Sequence, residues 1–178
     1  MRPAAAALLL AAALGCNQYP ESYPPPEQRT PPAPEEAGDA KMFVAMNDPD
    51  AESYFIRDIR GLEAGQWRWT GPNPTLHFVL DRADGLEFVM DFSIAGATFE
   101  TTGPVTLTFE INGRRLDSVR YDSYGRKHYE KEVPAGWIEP GADTIVSIRI
   151  DPVWVAPQTG TKLGIILQRA GFVPVDAP

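Results

Sequence analysis

Cysteine is all but missing from this sequence: Cys16 is the only one among 178 residues. An intramolecular disulfide is therefore excluded, and so is any Cys–His pair in the rest of the chain. Histidine is nearly as scarce, with His77 and His128 in separate segments. No Gly-x-Ser-x-Gly elbow, His-Glu-x-x-His pair or glycine-rich phosphate loop is present. Ser123 and Ser147 have no recognisable base near them in sequence. Basic charge is in short supply, with 16 Lys and Arg against 24 Asp and Glu and a net charge of -8. That balance excludes nucleic acid as a partner and opposes electrostatic docking on anionic lipid. The apolar run from Ala4 to Leu14 is too short to span a bilayer, which takes roughly twenty residues.

What is present begins with that run. Met1-Arg2 supplies a positive start, and Gly15-Cys16 ends the apolar stretch, which is the pattern of a secretory signal over residues 1–15. Ala13-Leu14-Gly15-Cys16 resembles the bacterial lipobox. The resemblance implies cleavage before Cys16 and acylation of its thiol with chains such as palmitate. Each buried methylene contributes about 0.8 kcal/mol, so several chains anchor stably. Asn17 after the cysteine implies an outer-membrane destination in the cell envelope. The other reading is an ordinary signal peptide that happens to contain a cysteine.

Residues 16–40 follow as a lipidated cysteine and a tether. Seven prolines and five acids face one base, Arg29, with almost nothing apolar to bury. Such a segment cannot offset its ordering entropy and is expected to be a disordered linker. Its prolines favour extended polyproline II at about 3.1 Å per residue.

From residue 41 to 178 the pattern changes to short apolar runs of period two. Leu76, Phe78 and Leu80 form one; Leu86, Phe88, Met90, Phe92 and Ile94 another; Val105, Leu107, Phe109 and Ile111 a third. Val146, Ile148 and Ile150 follow, and Leu163, Ile165 and Leu167 close the series. Alternation of this kind marks strands with one face buried. Asn112-Gly113 between two runs predicts a type I′ hairpin. Asp81 to Gly85 predicts a longer hairpin loop, and Glu139 to Asp143 a turn. Lys127 to Glu132 is charged enough to be an edge strand guarded against pairing. No segment carries a sustained helical period. An all-β antiparallel sandwich or jelly roll is the predicted fold.

Several pieces resemble the galactose-binding-domain-like jelly rolls that accompany polysaccharide enzymes as carbohydrate-binding modules. They are Gly65-Gln66-Trp67-Arg68-Trp69-Thr70, the Val105 to Leu116 hairpin, Val133-Pro134 with Pro140-Gly141 and Thr144 to Asp151, and the closing Lys162-Leu163-Gly164-Ile165-Ile166-Leu167. The likeness covers roughly residues 53–173. Where relatives often carry Asp-x-Arg before the last strand, this chain has Gly160-Thr161-Lys162. The resemblance implies a non-catalytic accessory domain. It also implies a structural calcium, for which Asp81 and Asp84, or Asp48 and Asp50, offer oxygens. Turn formation is the plainer role for these aspartates.

Aromatics in loops are the best functional lead, because flat rings stack on the apolar faces of sugars while polar groups take the hydroxyls. Trp137 precedes the Pro-Gly turn, Trp154 lies in the loop from Asp151 to Gly160, and Tyr121 and Tyr124 flank Asp122. With Arg126 and Asp151 as further polar partners, these are the candidate ligand-binding residues. Trp67 and Trp69 are two apart and share one sheet face, which is expected to be core. His77 is expected on the surface. Three functions follow. One is a lipid-anchored envelope protein that binds glycan. The second is an assembly accessory that docks on another envelope protein, with the Trp67–Trp69 face as its interface. The third is a glycan hydrolase or esterase, which needs two close carboxylates or a Ser–His pair in a cleft.

Overall fold

The computed structural model describes residues 42–175. The signal segment, Cys16 and the tether lie outside the described residues, as do residues 176–178.

The elements are almost all strands: β1 Phe43–Ala45, β2 Phe55–Glu63, β3 Trp67–Val79, β4 Leu86–Ile94, β5 Val105–Ile111 and β6 Arg114–Tyr121. They continue with β7 Gly125–Glu132, β8 Asp143–Asp151, β9 Trp154–Val155, β10 Lys162–Leu163 and β11 Ile166–Pro174. A 3-10 turn at Ala51–Tyr54 and one helix, α1 Gly96–Thr102, interrupt them. The hydrogen-bonded order is β6-β5-β8-β3-β11-β4-β7, with β1 on β11 and β2 on β3. Every pairing is antiparallel.

β3 turns this ribbon into a sandwich. Its first residues pair with β11 and its last, Thr75 to Val79, with β8. Between them stands Gly71-Pro72-Asn73-Pro74. Neither proline has an N–H to donate, so neither ladder can run through, and the strand leaves one half of the sheet for the other. The halves then face each other. Phe109 of β5 stacks on Tyr129 of β7 with ring centroids 3.8 Å apart. Phe78 of β3 meets Phe172 of β11 edge-on at 5.4 Å. The alternating residues of β4, β5 and β8 named above are all buried between the halves. Each large apolar side chain so placed contributes about 1.5–3 kcal/mol relative to exposure. The fold is an all-β antiparallel sandwich of jelly-roll type.

Four sequence expectations are corrected. Asp81 to Gly85 is not a hairpin loop, because β3 and β4 do not pair; the loop crosses from one half to the other. The last strand does not close at Leu167. A bulge between Leu167 and Arg169 adds a residue, so Leu167, Ala170 and Phe172 point inward and the period-two pattern is broken. Leu163 belongs to the small β9–β10 pair and is only partly buried. Trp67 and Trp69 share a face, but it is not the core: Arg68 and Thr70 between and beyond them are the buried residues.

Asn112 and Gly113 have φ of 50° and 74°, as a type I′ turn requires. β7 lies at one edge of the sheet, where its charge was expected to guard it. Gly164 makes a close approach: a Cβ there would lie 2.6 Å from the Gly71 carbonyl and 2.8 Å from Thr70 Oγ1. Its N–H donates to the Thr70 carbonyl at 2.9 Å, which docks the β10–β11 connection on β3.

Candidate binding groove

The outward residues of β4, β7 and β11 form rows across one sheet. Ser93 is flanked by Arg126 and Ile166, and Asp91 by His128 and Arg169. This face holds an open groove of about 990 Å³. Trp67 stands on its rim, with Gln66, Asn47 and Gln168 also lining it. Trp69 braces Trp67 edge-on, with centroids 6.2 Å apart and planes at 85°. Arg68, whose side chain runs to the opposite side, fixes this stretch of β3. Its guanidinium donates to the Met46 carbonyl at 3.0 Å, the Arg60 carbonyl at 3.2 Å and Glu52 Oε1 at 3.1 Å. The tryptophan pair is thus held by the buried arginine between them.

Asp91, His128 and Arg169 form a linked charged row within the groove. Asp91 accepts from His128 Nδ1 at 2.6 Å and from Arg169 Nε. His128 Nε2 meets Glu130 Oε2 at 3.2 Å. Partial burial pushes the Asp91 carboxyl up, but the hydrogen bonds and charges of His128 and Arg169 outweigh it and hold Asp91 below its ordinary value. The hydrogen bond to Asp91 raises His128, aided by Glu130 and opposed by burial. Gln168 Nε2 donates to Ser93 Oγ at 2.9 Å. The Arg126 guanidinium has no hydrogen-bond or ion-pair partner among the described residues and is free to meet a ligand.

The candidate residues named from sequence fall at both ends of the sandwich. Tyr121, Tyr124, Asp122, Arg126, Asp151 and Trp154 gather at the end where β6, β8 and β4 finish and β7 begins. There Val105 pairs with Tyr121, Thr106 with Asp151, and Ile94 with Gly125. Tyr124 is 62% exposed and rests on Phe99 of α1. Tyr121 is half-buried edge-on against Phe92 at 5.3 Å. Burial, with the nearby Asp117 charge, pushes its hydroxyl up to about 12. Asp122 is occupied by Arg120 at 2.9 Å, and Trp154 is partly buried opposite Leu163. Trp137 sits at the other end. Asn112 Nδ2 donates to its carbonyl at 2.9 Å, and the Arg114 guanidinium lies 5.8 Å from its ring. Of the seven, only Arg126 lines the groove.

Trp67, Asp91, His128 and Arg169 line the groove and were not among the ligand-binding candidates read from sequence. For Asp91 and His128 a signal was in the sequence, as charged members standing opposite the buried residues of β4 and β7; for Trp67 the alternation pointed the other way, and Arg169 follows the β11 bulge that breaks it. His77 bonds Asp143 Oδ1 at 3.1 Å and the Ser53 carbonyl at 2.5 Å, which ties the 3-10 turn to the sheet. Neither histidine is hydrogen-bonded to a serine or threonine hydroxyl. Among the described residues, no three His, Cys, Asp or Glu side chains gather as ligands for the structural calcium that the resemblance implied. Asp48 instead accepts from the Ala45 N–H at 3.0 Å, a turn role.

No protein-family model matches the chain. No curated protein matches it either. Solved structures do resemble it. An acetyl xylan esterase from the rumen bacterium Butyrivibrio proteoclasticus is 11% identical with a TM-score of 0.44, over 76% of this chain and 34% of that one. The carbohydrate-binding module CBM36, in complex with calcium and xylotriose, is 11% identical with a TM-score of 0.37, over 74% of this chain and 98% of that one. A family 35 carbohydrate-binding module from an environmental isolate is 11% identical with a TM-score of 0.40, over 79% and 96%. The chain thus spans about a third of the esterase and nearly all of each module's length.

Proposed function

We propose that this chain is a non-catalytic glycan-binding domain, carried on a lipid anchor at Cys16 in the bacterial cell envelope. The observation that carries the reading is Trp67, a partly exposed ring held edge-on by Trp69 at the rim of a groove of about 990 Å³. That volume is at the upper end of the roughly 300–1,000 Å³ usual for ligand sites. One flat apolar platform beside amide, guanidinium and carboxylate groups suits a saccharide of more than one ring. The proline-rich segment supports a tether, and the lipobox-like residues support anchoring at the outer membrane. Neutral glycan is not opposed by a net charge of -8.

Binding on a glycan array, followed by calorimetry on the best ligand, tests this. Trp67→Ala should weaken association about tenfold or more, roughly 1.4 kcal/mol, with the melting temperature little changed. Arg126→Gln should weaken it less, and Trp154→Ala and Tyr124→Ala should leave it intact. Loss of binding in the last two with Trp67→Ala unaffected would move the site to the loop end. A parent protein that retains no glycan at all defeats the reading.

A second reading is favoured by one feature. Among the described strands β2 pairs only with β3, and it exposes Ile56 and Leu62, at 50% and 42%. A strand of this kind suits docking on another envelope protein. Crosslinking through residue 56 in intact cells that recovers one protein, with no glycan-induced shift in melting, selects it.

A further inference from the structure

The opposite sheet, β6-β5-β8 with the end of β3, carries a second and smaller pocket of about 260 Å³ on its outer face. Five strands bring its walls together. Arg115 of β6 pairs across to Glu110 of β5, Arg149 of β8 to Thr108 of β5, and Arg57 of β2 to Thr75 of β3. Thr108 and Ser147 line it with hydroxyls. Three arginines thus meet one carboxylate, Glu110, in a chain whose overall charge is strongly negative.

These guanidiniums are unspent. The side chains of Arg115 and Arg149 have no hydrogen bond or ion pair to any described residue, and Glu110 lies within ion-pair distance of neither. Arg57 is anchored through Nε alone, to Thr75 Oγ1 at 3.0 Å, which aims the side chain while its terminal nitrogens stay open. Asp58, the nearest other acid on β2, is occupied by the Asn73 N–H at 2.8 Å. In the large groove, by contrast, Arg169 is already answered by Asp91.

We propose that this pocket is an oxyanion site, taking a phosphate or sulfate group through the forked donors of Arg115, Arg149 and Arg57. Arginine matches such groups with paired parallel hydrogen bonds, and several converging forks select a compact anion over a diffuse one. The volume is below the range for drug-sized ligands, so the pocket admits the anion and its immediate carrier, not a chain. It lies on the other sheet from the saccharide groove and does not depend on that reading.

The test uses the full chain with inorganic phosphate and inorganic sulfate, by calorimetry and thermal shift, against chloride at matched ionic strength. Phosphate should bind saturably. Arg115→Gln with Arg149→Gln should weaken it about tenfold or more, while Glu110→Gln should strengthen it; all three positions are outside the core. A parent response no greater than that to chloride overturns the site, as does a double variant that binds like the parent or a Glu110→Gln variant that binds no better. Phosphatidylglycerol vesicles, with phosphatidylcholine as control, separate the sources. Arginine-dependent retention on the former assigns a lipid headgroup, and saturable phosphate binding without retention assigns a free or glycan-borne group.

Discussion

Arg68 is the only charged side chain buried among the described residues. It is buried because its guanidinium replaces water with two carbonyls and a carboxylate, and lies 5.0 Å from the Phe55 ring centroid. Buried polar groups are tolerated on that condition. Glu52, the carboxylate partner, is 78% exposed, so the carbonyl bonds matter more than the ion pair. Arg68→Lys should therefore cost about 2–4 kcal/mol, since an ammonium cannot reach all the acceptors and each one abandoned costs about 1–3 kcal/mol. Glu52→Gln should cost far less. Urea denaturation midpoints of the two variants check both. The same residue shows why Trp67 was placed in the core from sequence: period two says which residues share a face, not which face is inward. Tryptophan is the more apolar, so the tryptophan face was taken as buried. Only the acceptors at Met46 and Arg60, distant in sequence, make the arginine face the inner one.

At the scale of elements, the β5–β6 hairpin was legible almost completely. Asn112 and Gly113 need positive φ, and few residue pairs accept it. Gly113→Ala should cost about 1–2 kcal/mol for a side chain in the left-handed region. Asn112→Gly should keep the turn yet still destabilise by about 1–2 kcal/mol, because the Asn112 side chain also donates to the Trp137 carbonyl and accepts from the Ile145 N–H at 2.8 Å. Parallel melting curves for the two variants measure turn and clamp separately. β2 was not legible. It is largely exposed and its register with β3 shifts three times, so no alternation marks it. The helix α1 was missed because seven residues of Gly-Ala-Thr-Phe-Glu-Thr-Thr are too few for a helical period. Its threonines are poor helix formers by propensity.

For the molecule as a whole, the charged row across β7, β4 and β11 ties stability to pH. His128 is raised, so its contribution is full below its ordinary value of 6.5 and is lost as pH rises through the folded-state value. Asp91 is lowered, so its contribution is present above its ordinary 3.8 and is lost as pH falls through the folded-state value. Between those limits the row ties three strands together. The melting temperature of the parent should exceed that of His128→Asn most at mildly acidic pH, and the gap should close as pH rises past the histidine's titration. A gap independent of pH contradicts the sign of the His128 shift.

The buried faces of β4, β5 and β8, the hairpin at Asn112-Gly113 and the charged edge at β7 were determined by the sequence alone. Each depends on neighbours one or two residues apart, where backbone geometry leaves little choice. The crossing of β3 between sheets, the bulge at Leu167 and the assembly of the groove were decided by tertiary structure. Asp91, His128 and Arg169 are far apart in the chain and become neighbours only through strand register, while the loop aromatics split between two ends. Local patterning assigns a side chain to one face or the other of its own strand. Which strands lie side by side, and so which side chains share a surface, is set by how the buried faces pack.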